Sequence, residues 1–410
     1  MEISNIDFLY DNEKNLSIIN EWFKNFYSIG TDESGGVTRL GYTKNEDIMH
    51  GSLRNLARSI GLKYSSDEVG NTYVYQDDYE DCYMIASHLD SVINGGRYDG
   101  VAGIVAGLLI LKWIKENNIK IPVKLCAFRC EESSMYGIAT VGSALVTHKI
   151  THEKLKKATN KEGVSLYDAL KKRGYSPECK KIDNIKGFFE LHIEQGRILE
   201  IKDIKIGFVS HIAAPTRYWL TIEGRQDHSG ATPMDFRMDA LCAGAMIITK
   251  LEEIANIESI NKTVGTIGYI DNYPNAFNVI SGKVKLGIDI RGIDKNSIDR
   301  VSGDIKEYIA KVCSDRKLKY DLVNISSDEP VKMNENLIKK MEKAANKLSE
   351  PYYVMPSGAG HDAMKFVDIC PTGMIFIPCR GGISHNKDEM INYSDLLTGT
   401  KIIFETLISF

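Results

Sequence analysis

The stretch ASHLDSVINGGRYDGVAGIVAG, residues 86–107, joins the end of a predicted strand to the start of a predicted helix through a glycine-rich loop. His88 and Asp90 stand where the apolar strand residues end, and Asp99 stands just before the helix. Small and apolar residues over 101–115 predict a helix. One histidine and two carboxylates therefore border the carboxyl end of a buried strand, the edge at which open α/β sheets form their sites.

The segments around this stretch alternate between strands and helices. Apolar residues recur at helical spacing over 14–28 and 46–60, and GNTYVYQ, VKLCAFRC and GFFELHIEQG are predicted strands. The second of these strands is apolar almost throughout, as in sheets that helices cover. The first part of the chain therefore predicts an α/β domain with a helix-covered mixed sheet.

The order of the elements changes from residue 212. TRYWLTIEGR, TVGTIGYIDNYP, GKVKLGIDIRG and KYDLVNIS are predicted strands, with one predicted helix after the first and another after the third. The order β-α-β-β-α-β predicts a ferredoxin-like domain. We therefore predict that residues 1–211 and 328–410 form one α/β domain and that residues 212–327 form a smaller domain inserted in it.

Composition and charge exclude several classes of function. A net charge of −4, without a cluster of basic and aromatic residues, argues against a nucleic-acid or membrane-surface partner. The acidic N-terminal sequence MEISNIDFLYDNEKN lacks a secretory pattern, and no apolar run reaches the roughly 18 residues of a membrane span. Eight cysteines without a CxxC pair are typical of reduced thiols, so we expect a cytoplasmic protein.

Histidines and acids gather at the predicted strand ends. Taken singly, each histidine is explained best as a hydrogen-bonded structural residue, and we assign His211 and His361 to this group and His50, His148 and His152 to the surface. Taken together, the remaining four indicate a site, because nitrogen and oxygen donors without thiolates suit a catalytic rather than a structural metal centre. The four histidines and the acids at the same strand ends form the candidate set His88, Asp90, Asp99, Glu131, Glu132, His192, His228 and His385.

Seven sequence blocks in order resemble one enzyme family over nearly the whole chain. They are SHLDSVINGGRYDGVAG, EESSMYGIATVGS, ELHIEQGRILE, DHSGATPMDFRMDA, NAFNVISGKVKLGIDIRG, PSGAGHDA and GGISHNKDE. The pattern is similar to the dinuclear metal amidohydrolases of the M20 peptidase group. The most similar branch contains the N-carbamoyl-L-amino acid hydrolases, β-ureidopropionases and allantoate amidohydrolases.

The resemblance implies a site with two divalent metal ions, zinc first, with manganese or cobalt as alternatives. His88 and His192 would hold one ion, Glu132 and His385 would hold the other, and Asp99 would bridge them. Two further carboxylates carry roles in the reaction. Asp90 would orient the imidazole of His88, and Glu131 would be the general base.

The resemblance also implies how a small ureido carboxylate substrate is held. His228 would stabilise the oxyanion, in the site of its own subunit or of a neighbouring one. Arg291 could form a paired hydrogen bond with the substrate carboxylate. The inserted domain would act as a lid and as the contact of a homodimer. The substrate-binding residues implied are Gln195, Arg217, His228, Asn278, Arg291, Gly358 and Gly360.

The function implied is hydrolysis of the ureido C–N bond of an N-carbamoyl-L-amino acid, which releases ammonia, carbon dioxide and the amino acid. Allantoate hydrolysis is the first alternative. An aminopeptidase or dipeptidase with a dinuclear site and a non-catalytic relative with the same fold are further alternatives. Met135 and Tyr136 stand where the family often has Arg-Phe, which leaves the substrate preference open.

Overall fold

The computed structural model describes residues 7–410, so the first six residues of the N-terminal stretch lie outside it. The chain divides into two compact units. Unit 1 combines the chain up to Ser210 with Lys332–Phe410, and unit 2 is the inserted segment His211–Val331. None of the helices in the described part of the chain has the length and apolar content to cross a bilayer.

Unit 1 is built on a nine-stranded sheet. Its strands are β1 (Lys63–Ser66), β2 (Thr72–Tyr75), β3 (Cys82–His88), β4 (Val123–Phe128), β5 (Ile185–Ile193), β6 (Ile206–Ile212), β11 (Val331–Lys332), β12 (Tyr352–Ser357) and β13 (Thr372–Ile377). Their order in the sheet is β1-β2-β4-β3-β5-β13-β6-β11, and β12 pairs with β6. Pairing is parallel from β4 through β3 and β5 to β13, and antiparallel at β1-β2, β2-β4 and β13-β6.

Helices cover this sheet because its central strands are apolar on both faces. All seven residues of β3 are buried, and so are thirteen of the sixteen residues of α3. The helices of unit 1 are α1 (Asn12–Tyr27), α2 (Lys44–Ser59), α3 (Val101–Glu116), α4 (Val141–Val146), α5 (His152–Lys157), α6 (Leu166–Lys172), α7 (Ile198–Lys202), α10 (Glu335–Lys347) and α11 (Tyr393–Ile408). The α/β fold with a mixed, helix-covered sheet is confirmed.

Unit 2 has the element order β-α-β-β-α-β. Its elements are β7 (Ala214–Glu223), α8 (Ala240–Glu258), β8 (Val264–Tyr273), β9 (Lys283–Gly292), α9 (Lys295–Asp315) and β10 (Lys319–Ser327). The antiparallel sheet has the order β10-β7-β9-β8, the arrangement of a ferredoxin-like fold. Burial alternates along β7 and β9, so one face of the sheet packs on α8 and α9 and the other stays open.

The parallel strands of unit 1 decide where the site lies. β4, β3, β5 and β13 are neighbours and run in the same direction, so their carboxyl ends meet at one edge of the sheet. Histidines or acids stand on each of these strands or in the loop that follows it. Sequence positions that are up to about 300 residues apart are thereby brought to one edge.

Candidate metal centre

The first group of donors is formed by His88, Asp99 and His192. The Nε2 atoms of the two histidines lie 3.3 and 3.0 Å from Oδ1 of Asp99 and 3.4 Å from each other. All three side chains are buried. Their donor atoms are close enough together to hold one metal ion.

The second group is formed by Asp99, Glu132 and His385. Nε2 of His385 lies 3.4 Å from Oδ2 of Asp99 and 3.2 Å from Oε1 of Glu132. These atoms could also hold an ion. Because Asp99 faces the first group with Oδ1 and the second with Oδ2, its carboxylate lies between two donor groups.

Acceptors at Nδ1 fix the orientation of the buried imidazoles of His88 and His192. Nδ1 of His88 lies 3.3 Å from Oδ1 of Asp90, and Nδ1 of His192 lies 2.9 Å from the carbonyl of Ile193. Both partners are acceptors, so each Nδ1 carries a hydrogen and each Nε2 points at the Asp99 carboxylate. Burial disfavours a charge on these rings, yet the hydrogen bonds and charges of the nearby carboxylates raise the pKa of both. A divalent cation would take the place of a proton between Nε2 and Asp99, so these residues fit a metal ion.

Asp90 also holds the two adjacent glutamates. Its carboxylate accepts hydrogen bonds from the backbone N–H of Glu131 at 3.0 Å and of Glu132 at 2.9 Å. Gly100, with φ of +67°, allows the Asp99 loop to turn against the imidazole of His88, where a Cβ would lie 2.6 Å from the ring. The loops that carry the donors are thus fixed by contacts among themselves.

The electrostatics of the cluster are those of crowded acids. Burial raises the pKa of Glu131 well above its usual value; the charge of His88 opposes this shift and that of Glu132 adds to it. Hydrogen bonds to Asp99 and Glu132 raise the pKa of His385 to about 11. For Asp99 the charges and hydrogen bonds of the surrounding histidines outweigh burial and hold its pKa well below the ordinary value. A divalent cation would relieve this crowding of negative charge.

A cavity of about 450 Å³ opens beside the second group of donors. Nε2 of Gln195 lies 2.9 Å from Oδ2 of Asp99, and its buried Oε1 has no partner. Gly358 lines the cavity, whereas Gly360 is not one of its lining residues. The lining residues are Glu194, Gln195, Gly196, Ile198, Met355, Pro356, Gly358, Ala359, Gly382, Ser384 and His385.

In unit 2, hydrogen bonds from the backbone fix the tautomer of the His228 imidazole. Its exposed imidazole accepts hydrogen bonds at Nδ1 from the N–H of Gly230 at 3.0 Å and of Ala231 at 3.1 Å. The neutral ring therefore carries its hydrogen on Nε2, where it can be donated. The N–H of Ser229 donates to the carbonyl of Asn278. The loops that carry His228 and Asn278, both predicted to bind the substrate, therefore lie side by side.

Arg217 and Arg291 share one carboxylate on the open face of the unit 2 sheet. Nε of Arg217 lies 3.2 Å from Asp289, and Nη2 of Arg291 lies 2.9 Å from it. Burial acts to raise the pKa of Asp289, but the hydrogen bonds and charges of the two arginines lower it. Two cations against one anion leave this cluster with a net positive charge.

The sequence pattern of Peptidase family M20/M25/M40 matches residues 84–409. The chain belongs to the M20 family. This confirms the family predicted from the seven sequence blocks.

Relatives within the M20 family match almost end to end. The N-carbamoyl-L-amino-acid amidohydrolase of Pseudomonas sp. (strain NS671) is 35% identical over 392 residues, 93% of this chain and 94% of that protein. The allantoate amidohydrolase of Escherichia coli (strain K12) is 33% identical over 386 residues, 92% of this chain and 93% of that one. The crystal structure of an amidase of the hydantoinase/carbamoylase family from Burkholderia multivorans superposes with a TM-score of 0.85, at 28% identity and 97% coverage of both chains. The prediction of a hydrolase of non-peptide C–N bonds is confirmed.

Glu389, a buried acid beside the candidate metal centre, was missed from the sequence, and one histidine was misplaced. Glu389 stands four residues after His385 in the block GGISHNKDE and contacts the Asp99 loop. Its position in that block was the available signal. The prediction that His50 lies at the surface is wrong: it is fully buried in α2, with Nδ1 2.9 Å from Oγ1 of Thr72.

Proposed function

We propose that the protein hydrolyses the ureido C–N bond of an N-carbamoyl-L-amino acid, with two divalent metal ions bound. Water adds to the carbamoyl carbon, the bond to the amino acid nitrogen breaks, and the carbamate so formed decomposes to ammonia and carbon dioxide. One observation carries the proposal: four nitrogen- and oxygen-donor residues surround the Asp99 carboxylate beside a cavity of substrate size. The Pseudomonas relative with this activity supports the choice of substrate.

Bound metal ions, zinc first and manganese or cobalt as alternatives, would supply Lewis acidity that lowers the pKa of water in the site. We assign His88, His192, Glu132, His385 and Asp99 as the residues that hold them. Histidine and carboxylate donors accept all three of these metals.

Glu131 is the proposed base because it stands beside the donor groups without belonging to either. Its Oε2 lies 4.0 Å from Nε2 of His88, and Asp90 holds its backbone N–H. A carboxylate whose pKa is raised by burial takes a proton from water readily and gives it up again. Glu131 therefore accepts the proton of the attacking water and delivers it to the departing nitrogen.

The substrate is bound by groups from both units. The Nε2–H of His228 donates to the carbonyl oxygen as negative charge develops on it. Arg291, with Asn278 beside the His228 loop, binds the carboxylate, and Arg217 adds a second positive charge. Gln195 and the backbone at Gly358 and Gly360 complete the contacts of the ureido group. Unit 2 acts as a lid whose closure brings these groups to the substrate.

We further propose that unit 2 forms a homodimer contact. β8 is an outer strand of its sheet, and Ile270 and Tyr273 on it are exposed. Such an edge can pair with a second copy of the same strand. Sedimentation velocity of the full chain, compared with an Ile270→Lys variant, tests this: a monomeric wild-type protein would refute it.

Allantoate is the second candidate substrate. The observation that favours it is the pairing of Arg217 with Arg291 on Asp289, because a second cation suits a longer ureido substrate. The allantoate amidohydrolase of Escherichia coli is also a relative, over 92% of the chain.

The deciding experiment is a turnover panel on the metal-loaded enzyme. N-carbamoyl-L-amino acids with apolar, polar and charged side chains are compared with N-carbamoyl-β-alanine, allantoate and a dipeptide, measuring ammonia and amine release. We expect the highest kcat/KM for an N-carbamoyl-L-amino acid. Higher kcat/KM for allantoate would replace the first candidate by the second, and preference for the dipeptide would overturn both. Glu131→Gln with metal bound is the background control.

A further inference from the structure

Glu389 is a buried carboxylate in the loop that carries His385. Only 3% of its surface is exposed. Its Oε1 accepts hydrogen bonds from the backbone N–H of Tyr98 at 2.8 Å and of Asp99 at 3.0 Å. One oxygen atom thus holds two consecutive amides, the second of which belongs to the residue between the two donor groups.

The other oxygen of Glu389 completes a link between the same two loops. Oε2 lies 3.2 Å from Oγ of Ser384, the residue before His385. Oγ of Ser384 lies 3.1 Å from Oδ2 of Asp99. The one Oγ hydrogen of Ser384 goes to one of these two carboxylates at a time, so the constant tie between the loops is the pair of amide hydrogen bonds to Oε1 of Glu389.

The loop before Asp99 packs directly on the Glu389 carboxylate at Gly96. A Cβ on Gly96 would lie 2.1 Å from Cδ and from Oε1 of Glu389. Gly96 does not have a positive φ, so what it supplies is space and not a special conformation. At the neighbouring Gly95 a Cβ would instead meet the side chain of Val92, at 2.9 Å.

We propose that Glu389 is a positioning residue: by holding the Tyr98 and Asp99 amides it fixes the shared carboxylate of Asp99 relative to His385. The proposal deepens the proposed function and rests on its metal site. A carboxylate that must serve two ions can do so only if its backbone is fixed, because ligand distances tolerate only a few tenths of an ångström. Backbone amides held by a buried acid supply that fixation.

The matched variants are Glu389→Ala and Glu389→Gln. Glutamine keeps an acceptor oxygen that can take both amide hydrogen bonds but loses the charge, whereas alanine loses both. If Glu389 acts by holding the two amides, Glu389→Ala should lower metal affinity about 10- to 100-fold. Glu389→Gln should keep the affinity within about threefold of the wild-type value, which is the size of a modest hydrogen-bond change. If it acted by charge or as a ligand, both variants would lose affinity alike.

Gly96→Ala and Gly95→Ala form a second pair that leaves Glu389 in place. Gly96→Ala displaces the carboxylate, and we expect roughly a tenfold loss of metal affinity, at the lower end for a residue behind a ligand. The new Cβ of Gly95→Ala would lie 2.9 Å from the side chain and 3.3 Å from the carbonyl oxygen of Val92 and would not approach Glu389, so this variant should bind metal as the wild type does. Zinc is the probe, its affinity measured on the full chain by competition with a chromogenic chelator, and its stoichiometry by elemental analysis. Circular dichroism and thermal unfolding report whether each variant folds.

The outcomes separate this proposal from the proposed function. Equal losses in Glu389→Gln and Glu389→Ala, or normal zinc affinity in both Glu389→Ala and Gly96→Ala, overturn the positioning role. Failure of the wild type to hydrolyse ureido substrates while it binds zinc overturns the proposed function, and the affinities of the four variants still decide the role of Glu389.

Discussion

The acidic side chains of the two units have opposite surroundings. In unit 1 burial raises the pKa of Glu190 to about 8, of Glu389 to about 7 and of Asp362 to about 6. In unit 2 the hydrogen bonds of Arg300, Ser297 and Asn261 lower the pKa of Glu258 to about 2. Glu258 and Asp289 of unit 2 have arginine partners, whereas Glu190, Asp362 and Glu389 of unit 1 are buried beside other carboxylates.

The predicted functional groups show the same difference. His88 and His192 are buried and each is fixed by an acceptor at Nδ1, whereas His228 is exposed and Arg217 and Arg291 are partly exposed. Metal donors have to be placed before the ion arrives, because coordination distances are strict. Groups that bind a substrate can remain open to solvent until it enters. The donor groups of unit 1 are thus fixed in a buried arrangement that fits a cation, whereas the arginine pair of unit 2 stays partly open to solvent.

The largest expected effect comes from the two adjacent glutamates of unit 1. Both Glu131→Gln and Glu132→Gln preserve size and differ from the wild type only in the carboxylate. Loss of the general base should lower kcat of Glu131→Gln about 10²- to 10⁴-fold with the metal content unchanged. Glu132→Gln should lose metal affinity as well, because Glu132 belongs to a donor group.

Metal analysis and steady-state kinetics on the same preparations separate the two roles. If Glu131→Gln retained metal and kept kcat within tenfold of the wild type, Glu131 would not be the base. Loss of metal from Glu131→Gln would make it a ligand instead. Either result would break the distinction between donor and base within unit 1.

Much of the fold followed from sequence periodicity and from the resemblance. The apolar strands and α3 are long and regular, and the histidines at their ends follow from the rule for strand termini. The short helices α4 to α7 and the strands β6 and β12 were not predicted. Their few residues carry too little periodicity to stand out, and tertiary contacts decide their conformation.

Two residues, Glu389 and His50, show where prediction from the sequence fell short. The partners of Glu389 are backbone amides of Tyr98 and Asp99, almost 300 residues earlier, and no side-chain pattern records such a contact. His50 was predictable: with Leu53 and Ala57 it lies at helical spacing on the buried face of α2. The prediction considered His50 alone and overlooked its spacing to the apolar residues of the buried face.

His228 of unit 2 should give the next largest effect. His228→Ala removes the proposed Nε2–H donor and should lower kcat about 10²- to 10³-fold, as removal of one oxyanion donor does. Because the imidazole is exposed, folding and metal content should stay at wild-type values. His228→Gln keeps a donor and an acceptor for the Gly230 and Ala231 amides, so it should recover part of the rate. Loss of metal in His228→Ala would end the functional separation of the two units.

The pH dependence of metal binding should be confined to unit 1. The raised pKa of His385, about 11, means that this ring carries a proton at neutral pH in the metal-free protein. Metal must displace the proton, so affinity should rise with pH, about tenfold per unit for each proton released, between about pH 6 and 9. Calorimetry of zinc binding in buffers of different ionisation enthalpy counts the protons. His228→Ala should show the same slope, and an affinity independent of pH would contradict the assignment of His385.

The smallest effects should come from the arginines of unit 2, and they test whether its positive charge serves the substrate. Lysine keeps the charge but lacks the planar fork that pairs with a carboxylate. Arg291→Lys should raise KM about tenfold, the worth of one charge-assisted hydrogen bond. Arg217→Lys should raise it only about two- to fivefold, because exposed charge pairs contribute little.

Neither arginine variant should change zinc affinity, since both side chains belong to unit 2 and pair with Asp289 there. KM measured with an N-carbamoyl-L-amino acid and with allantoate tells the two substrates apart. If Arg217 binds the second half of a longer ureido substrate, Arg217→Lys weakens allantoate more than the shorter substrate. If Arg217 only forms a structural ion pair with Asp289 beside Arg291, Arg217→Lys changes KM equally for the two substrates. An unchanged KM for both substrates in Arg291→Lys would remove the arginine pair from the substrate site and leave it a structural ion pair of the sheet.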